Sequence, residues 1–289
     1  MFLQFLINGI VTGILYSLAA VGFALVYNTA RIFHVAAAAV YTIAAYAFFF
    51  AVRLSLLPLW MTGVIALVFA ATVNIFCDVA VYRPLARKGA SPNVIMISSI
   101  GLMIVLINVV AMIFGNETKI ITNSIQPSLH LGSLILTQPQ MLQLVVGAGS
   151  LAFLAIFLKF SSFGLKARAL GNDPMLFEIF GFNTGRTRLC MFGLSGLFLG
   201  LASCLSAYDV GMSPHGGMTV LINALVAMII GGTGRFLACV AGGILLGILQ
   251  ALVVWQFAAN WQYAVTFLLL IIFLFFRPQG LLGIPRRAV

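Results

Sequence analysis

Residues 3–27 read LQFLINGIVTGILYSLAAVGFALVY, an uninterrupted run of 25 residues without a charged side chain. A helix needs about 20 apolar residues to cross the hydrocarbon core of a bilayer, so this run is long enough to span a membrane. It lacks the basic N-terminal region and the short apolar core of a cleaved signal peptide. We therefore expect it to remain in the protein as the first transmembrane span.

The same kind of stretch recurs along the whole chain, which is 63% hydrophobic and only 7% charged. Soluble domains do not have this composition. Further apolar stretches lie at residues 35–52, 58–81, 94–114, 141–160, 189–208, 218–232, 236–257 and 261–276. The pattern predicts an all-α polytopic transmembrane helix bundle that occupies residues 1–289 as one domain. We expect about nine spans, or eight if the short 218–232 stretch is re-entrant.

The formal net charge of +10 comes from basic residues placed at the ends of these stretches. In a soluble protein this charge would suggest nucleic-acid binding, but at span ends it orients a membrane protein. With nine spans, 13 of the 15 basic residues fall on one side, and only Arg53 and Lys119 fall on the other. The positive-inside rule then places the N-terminus outside and the C-terminus in the cytoplasm.

The sequence shows no constellation typical of a catalytic or metal site. Its five acidic residues and three histidines are scattered, and its four cysteines lie in apolar stretches without the spacing of a zinc site. Residues 231–235, GGTGR, lack the Lys-Ser/Thr ending with which a phosphate loop binds nucleotide. A tight turn between two helices is the better interpretation, and we expect no catalytic residue, cofactor or metal.

Uncharged polar residues within the stretches are candidates for a solute path, because polar groups at membrane depth usually face the bundle interior. Asn8, Thr12 and Tyr16 recur every four residues on one face of the first helix. Ser98, with the neighbouring Ser99 and with Asn108, marks the fourth stretch, and Asn223 marks the seventh. Such an interior favours a small, net-neutral solute over coupled ions. Hydrogen bonding between helices explains each residue equally well.

Small residues four positions apart recur in three stretches, where they allow helix backbones to approach closely in lipid. These residues are Gly9, Gly13 and Ser17 in the first stretch, Gly196 and Gly200 in the sixth, and Gly243 and Gly247 in the eighth. They predict dense helix packing and do not indicate a function.

Residues 161–188 form the largest loop expected on the cytoplasmic side, and they contain a short helix pattern between strong stop signals. Asp173 can cap this helix, Pro174 suits its first position, and Gly181 can take the left-handed conformation that ends it. Leu176, Ile179 and Phe180 would group on one face of this helix at spacings of three and four, and Glu178 lies in a following turn. Since no lipid can bury the apolar ones among them, we expect a protein partner to cover them.

Short motifs are spread over nearly the whole chain. They are NG (8–9), TG (12–13), YSL (16–18), YRPL (82–85), IG (100–101), GFN (181–183), GGTG (231–234), GG (242–243) and RPQGLLG (277–283). Together they resemble the permeases of the branched-chain (leucine, isoleucine, valine) amino-acid ABC importers, and in particular the shorter of the two paired permeases. Where that family usually carries Asn-Phe-Ala-His-Gly before its second span, this chain reads His34-Val35-Ala36-Ala37-Ala38.

The resemblance implies a permease subunit, not itself an enzyme, that carries branched-chain or related small amino acids across a bacterial inner membrane. It implies four kinds of partner: a second homologous permease, two ATP-binding subunits, a periplasmic solute-binding protein and the lipid bilayer. It also implies that the 173–180 helix is the coupling helix that docks onto an ATPase subunit. A permease for urea or short amides is the alternative, and a stand-alone secondary transporter is a further one.

Overall fold

The computed structural model describes residues 2–54, 58–121, 127–131, 134–232, 234, 236, 238–277 and 279–282. Its α-helices are α1 (Phe2–Ala30), α2 (Ala37–Arg53), α3 (Leu59–Cys77), α4 (Arg83–Arg87), α5 (Pro92–Phe114), α6 (Gln138–Leu142), α7 (Ala148–Phe160), α8 (Ser162–Asn172), α9 (Pro174–Ile179), α10 (Thr184–Asp209), α11 (Gly216–Gly231), α12 (Ala238–Gln256) and α13 (Trp261–Phe276). Two π-helical turns, Asp78–Tyr82 and Gln143–Gly147, join α3 to α4 and α6 to α7.

Six helices within the described residues are long and apolar enough to cross a membrane: Phe2–Ala30, Leu59–Arg87, Pro92–Phe114, Gln138–Phe160, Thr184–Val210 and Ala238–Gln256. Three apolar helices are shorter, namely α2 with 17 residues and α11 and α13 with 16 each. A helix therefore occupies each of the nine predicted stretches, and the predicted polytopic helix bundle is confirmed. The number of crossings and the orientation of the termini stay predictions.

α1 lies in the middle of the bundle and is buried along most of its second half. Its neighbours are α10, α11 and α12. The peripheral helices α3, α5, α7 and α13 instead expose large apolar side chains, for example Phe69, Ile104, Phe153 and Phe275. Lipid tails are as apolar as these side chains, so such a surface suits contact with a bilayer.

The predicted stripes of small residues lie at the closest helix contacts. Gly9 and Gly13 of α1 face α12, where a Cβ atom added to Gly247 would lie 2.4 Å from the carbonyl oxygen of Gly9. On α10, a Cβ atom added to Gly196 would lie 2.8 Å from the carbonyl oxygen of Ala70 in α3. The backbones approach closely at both crossings because no side chain separates them, and the predicted dense packing is confirmed.

These two crossings belong to two sets of helices with the same order. The first set is α1, α2 and α3, the second is α10, α11 and α12, and each consists of a long helix, a short helix and a third helix. α1 packs against α11 and α12, as α10 packs against α2 and α3. The short helices meet where Gly217 lies against Ala38. Each long helix thus packs against the short helix and the third helix of the other set.

A two-stranded antiparallel hairpin, β1 (Ser128–Leu131) and β2 (Leu134–Thr137), is an element that the sequence analysis did not predict. The side-chain amide of Gln4 in α1 donates to the carbonyl oxygen of Ile135 at 2.8 Å and accepts from its N–H at 2.9 Å. The Gln4 amide thus takes the place of a neighbouring strand at the edge of β2. Four-residue strands are too short for their alternation to stand out in a sequence.

The glycine-rich turn lies between α11 and α12, as predicted, although Thr233, Arg235 and Leu237 are outside the described residues. Pro278 and Gly283 of the terminal motif, and residues 284–289 after it, are also outside the described residues. The N–H groups of Leu281 and Leu282 donate to the carbonyl oxygens of Ile230 at 2.8 Å and Gly231 at 3.0 Å. The segment after α13 therefore lies against the end of α11.

Candidate functional site

The short helix predicted within residues 161–188 is α9, and both of its ends are closed. The Oδ1 atom of Asp173 accepts from the N–H groups of Met175 at 2.9 Å and Leu176 at 3.0 Å, and Pro174 is the first helical residue. Gly181 has a φ of +77°, which is the left-handed conformation that glycine adopts without strain. The predicted cap, the proline position and the glycine stop are confirmed.

The C-terminal end of α9 is a Schellman motif. The N–H of Phe182 donates to the carbonyl oxygen of Phe177 at 3.3 Å, and the N–H of Gly181 donates to that of Glu178 at 2.9 Å. The Phe177 and Phe182 rings stack at a centroid distance of 5.1 Å, the apolar contact that often accompanies this motif. These bonds fix the direction in which the helix presents its side chains.

The outward face of α9 is apolar. Leu176, Ile179 and Phe180 are 51%, 72% and 73% exposed, whereas Phe177 points inward and is buried. Met175, which the sequence analysis did not include, is also exposed. A spacing of three or four positions does not select Met175, but in a helix of six residues most side chains reach solvent. Glu178 is exposed beside this face.

The segment before α9 is tied to the membrane bundle. Ser161 caps the start of α8, because its hydroxyl accepts from the N–H of Gly164 at 3.0 Å. At its other end, Arg31, just after α1, donates to the carbonyl oxygen of Gly171. Lys166 lies 5.5 Å from the centre of the Phe182 ring. α9 therefore extends from a base that contacts both α1 and the connection to α10.

Two of the predicted path residues meet in one buried polar cluster. The Tyr16 hydroxyl donates to Gln250 Oε1 at 2.9 Å, and Gln250 Nε2 donates to Asn223 Oδ1 at 3.2 Å and to Thr266 Oγ1 at 2.6 Å. The cluster joins α1, α11, α12 and α13 at one point. Gln250 and Thr266 were missed, although both are polar residues within apolar stretches and the same rule would have selected them.

The other predicted path residues lie elsewhere. Asn8 accepts a hydrogen bond from Gln4 Nε2 at 3.3 Å, and Thr12 is half-buried between Asn8 and Tyr16 along α1. The Ser98 hydroxyl donates to the carbonyl oxygen of Val94 at 2.9 Å within α5, so it does not reach the cluster. Asn108 makes a similar bond within α5, at 2.8 Å to the carbonyl oxygen of Ile104.

An open cleft lies between α2, the end of α10 and the start of α11. Hydroxyl groups of Thr42, Ser203 and Ser206 line one part of it, and apolar side chains such as Met212 and Val220 line another. The described lining residues are all uncharged. The described side chains that line this cleft, like those of the buried cluster, therefore carry no net charge.

A second polar chain runs through the connection between α1 and α2. His34 lies in this connection, outside the helices, and burial lowers its pKa to about 4, so the ring is neutral at physiological pH. Asn74 donates through Nδ2 to the carbonyl oxygen of Phe192 at 2.7 Å, which leaves its Oδ1 to accept from His34 Nε2 at 2.7 Å. A neutral ring then accepts at Nδ1, at 2.8 Å from the Tyr82 hydroxyl.

The neutral His34 ring, which accepts at Nδ1, also fixes the direction of the other hydrogen bonds in this chain. Because the Tyr82 hydroxyl donates to His34, it accepts from the Ser99 hydroxyl at 2.7 Å. Ser99 in turn accepts from the backbone N–H of Ala36 at 2.9 Å. The chain thus joins α2, α3, α5 and α10, and each of its groups has a partner. Ser99, which the sequence analysis noted beside Ser98, faces this interior chain.

The chain is similar in sequence to known transport permeases. The family model described as the permease component of branched-chain amino acid transport systems matches residues 5–274. The high-affinity branched-chain amino acid transport system permease proteins BraD of Pseudomonas aeruginosa and LivH of Escherichia coli are each 28% identical over 298 residues, which covers 98% of this chain and 96% of the relative. A probable branched-chain amino acid transport permease of Methanocaldococcus jannaschii is 24% identical over 92% of this chain and 88% of its own length.

A solved structure, PsaBC from Streptococcus pneumoniae in complex with Fab, is similar in fold. It aligns with a TM-score of 0.52 over 96% of this chain and 93% of the solved chain, at 16% identity. The similarity in sequence covers nearly the whole chain as well, since the family model spans 270 of its residues, from 5 to 274. The chain therefore belongs to the permease component family of branched-chain amino acid transport systems.

Proposed function

We propose that this permease subunit carries branched-chain or related small amino acids across a bacterial inner membrane as part of an ATP-driven importer. As a member of this family, the chain is a multi-pass transport subunit and not an enzyme. Such a subunit works together with separate ATP-binding and other subunits. We infer that these are a second homologous permease, two ATP-binding subunits and a periplasmic solute-binding protein. The relatives' names favour this solute class over urea or short amides.

The observation that supports coupling to ATP is the outward face of α9. Leu176, Ile179 and Phe180 are each more than half exposed at a position that the charge distribution assigns to the cytoplasm. Burying a large apolar side chain contributes about 1.5–3 kcal/mol, so this face gains by binding another protein. Because both ends of α9 are fixed, little conformational entropy is lost on docking.

The solute path that we propose follows the polar side of α1. Asn8, Thr12 and Tyr16 lie along it, and Asn223 meets it through Gln250. Uncharged amides and hydroxyls in this position suit a solute without net charge. Ser98 belongs to this set as a prediction from the sequence, but its hydroxyl bonds within α5.

The coupling assignment is tested with Phe180→Asp and Glu178→Lys, each co-expressed with the ATP-binding subunits of the same transporter. Both residues lie outside the apolar stretches, so membrane insertion should be unaffected. Losing a buried aromatic anchor at an interface costs roughly 2 kcal/mol or more, which weakens association at least about tenfold. We expect co-purification of the ATP-binding subunits and substrate-stimulated ATP hydrolysis to fall in both variants.

Asn172→Asp is the matched control, since it adds the same charge as Phe180→Asp at an exposed position just before the cap of α9. It should leave association and hydrolysis unchanged. Normal association in both α9 variants would remove the coupling assignment. The solute class is tested by uptake of labelled leucine into proteoliposomes with isoleucine, valine or urea as competitor, and inhibition by urea alone would contradict it.

A further inference from the structure

Asp78 carries a fully buried carboxylate at the point where α3 passes into its π-helical turn. Arg83 Nε lies 2.7 Å from Asp78 Oδ2, and Arg188 Nε lies 2.8 Å from Asp78 Oδ1. A buried carboxylate is stable only when such partners neutralise it and occupy its oxygens. None of these three side chains belongs to the outward face of α9 or to the proposed solute path.

The π-helical turn is what brings Arg83 to Asp78. In an α-helix, neighbouring side chains on one face are three or four positions apart, whereas these two residues are five apart. Here the N–H of Arg83 also donates to the carbonyl oxygen of Asp78, the bond of a π-turn, and so places both residues on one side. π-turns within longer helices occur frequently at functional sites.

Both arginines connect this turn to the beginning of α10. Arg188 lies in the first turns of α10, and Arg83 Nη2 donates to the carbonyl oxygen of Gly185 at 2.7 Å. α10 follows the Schellman motif of α9 directly, because Asn183 caps it by accepting from the N–H of Arg186 at 2.9 Å. A displacement of α9 would therefore move the start of α10. This is the part of α10 whose Arg188 binds Asp78.

At its other end the π-helical turn reaches the interior polar chain. Tyr82 is its last residue, and the Tyr82 hydroxyl bonds to His34 and Ser99. The ring of Phe192 packs against the rings of Tyr82 and His34 and lies 5.6 Å from the guanidinium of Arg188. A shift of Asp78 would thus move the connection between α1 and α2 as well.

We propose that Asp78 is a positioning residue that transmits the movement of α9 into the membrane bundle through Arg188, Arg83 and Tyr82. This rests on the proposed function of α9 as the helix that docks onto an ATP-binding subunit. The ion pairs serve as the rigid link between the docking segment and the helices around the α1–α2 connection. Their loss leaves docking intact and separates ATP hydrolysis from solute movement.

The test uses the complete transporter in proteoliposomes and measures leucine molecules moved per ATP hydrolysed. Asp78→Asn removes the carboxylate charge, and the double variant Asp78→Asn with Arg188→Gln also removes one of the two arginine charges that the first change leaves unpaired. We expect the ATP-binding subunits to co-purify with both variants while the ratio falls at least about fivefold, the lower range of typical coupling between sites. Asp209→Asn, the same change at the opposite end of α10, is the control and should keep the ratio.

If Asp78 has only a structural role, the result should differ. The double variant should then regain both assembly and the full ratio of leucine moved to ATP hydrolysed. That result, or an unchanged ratio in Asp78→Asn, would overturn the proposal. If neither variant assembles with the ATP-binding subunits, hydrogen exchange measured on the wild-type complex tests the role of Asp78 instead. ATP binding must then change the protection of residues 78–83 together with residues 182–188, and a change confined to 182–188 would overturn it.

The same preparations test the docking of α9 and the role of Asp78 separately. If Phe180→Asp abolishes association while the Asp78 variants transport normally, only the role of Asp78 is wrong. If the wild-type chain does not bind ATP-binding subunits, the proposed function and this inference are both wrong.

Discussion

Asn223 lies in a buried cluster of polar residues from different helices. Asn223 accepts from Gln250 Nε2 and lies 3.3 Å from the Thr266 hydroxyl, which also has an acceptor 3.0 Å away in the carbonyl oxygen of Gln262. Asn223, Gln250 and Thr266 are all buried. An unpaired buried polar group costs about 1–3 kcal/mol, so each partner stabilises the positions of the others. Such a cluster holds four helices together and could also contact a solute that passes beside α1.

We predict that Asn223→Ala and Thr12→Ala change leucine uptake at normal expression. In Asn223→Ala, the buried Gln250 amide loses one of its acceptors, and a loss of about 1 kcal/mol corresponds to about a fivefold change in an equilibrium. Uptake kinetics in proteoliposomes measure the effect, with Asn108→Ala as the matched control because its amide bonds only within α5 at an exposed position. Wild-type kinetics in both test variants would assign these residues to packing alone.

At the scale of helices, close backbone approach organises the bundle. α1 and α12 touch along Gly9, Gly13, Gly243 and Gly247, and the hydroxyl of Ser17 donates to the carbonyl oxygens of Gly13 at 2.7 Å and Val240 at 3.0 Å. In lipid there is no hydrophobic drive between helices, so dispersion contacts and such hydrogen bonds supply the association energy. Both depend on a separation that no larger side chain allows.

We therefore expect Gly247→Ala to destabilise the protein. The new Cβ atom would lie 2.4 Å from the carbonyl oxygen of Gly9, and overpacking of this kind costs about 1–3 kcal/mol. Gly63→Ala in α3 is the control, since a Cβ atom there meets nothing within 4 Å, and alanine favours a helix over glycine by up to about 1 kcal/mol. Thermal unfolding of the detergent-purified variants measures both changes. Equal melting temperatures would show that the crossing tolerates a methyl group.

At the scale of the whole molecule, several segments that connect the long apolar helices gather in one region. α8 and α9, the start of α10 and the α1–α2 connection form one region that contains Arg31, Lys166 and Arg186. This is the region that the positive-inside rule places in the cytoplasm. The outward face of α9, which we propose docks onto an ATP-binding subunit, and the Asp78 ion pairs lie in this same region.

We predict that reporter fusions show an outside N-terminus, a cytoplasmic C-terminus and an outside position for Asp209. The reason is that nine crossings place 13 of the 15 basic residues on the cytoplasmic side. A phosphatase fusion at Asp209, active only outside, and a fluorescent fusion after Gly232, fluorescent only in the cytoplasm, measure the second half of the chain. A cytoplasmic Asp209 would contradict nine crossings.

The sequence by itself determined the features that depend on neighbours along the chain. Apolar runs of about 20 residues predict spans because transfer into lipid is a property of each run. The ends of α9 were equally readable, since the Asp173 cap reaches three residues forward and Gly181 closes the helix within six. The motifs from Asn8 to Gly283 also indicated the family to which the chain belongs.

Only the tertiary structure decided which side chains meet. Asp78 and Arg188 are 110 positions apart, and Tyr16 and Gln250 are 234 apart, so neither pair leaves a local signal. In a soluble protein the apolar stripe of a helix reveals its inner face, but lipid makes both faces of these helices apolar. The rotation and crossing of each helix, and with them the partners of Asp78 and Asn223, therefore come from packing and not from the hydrophobic pattern.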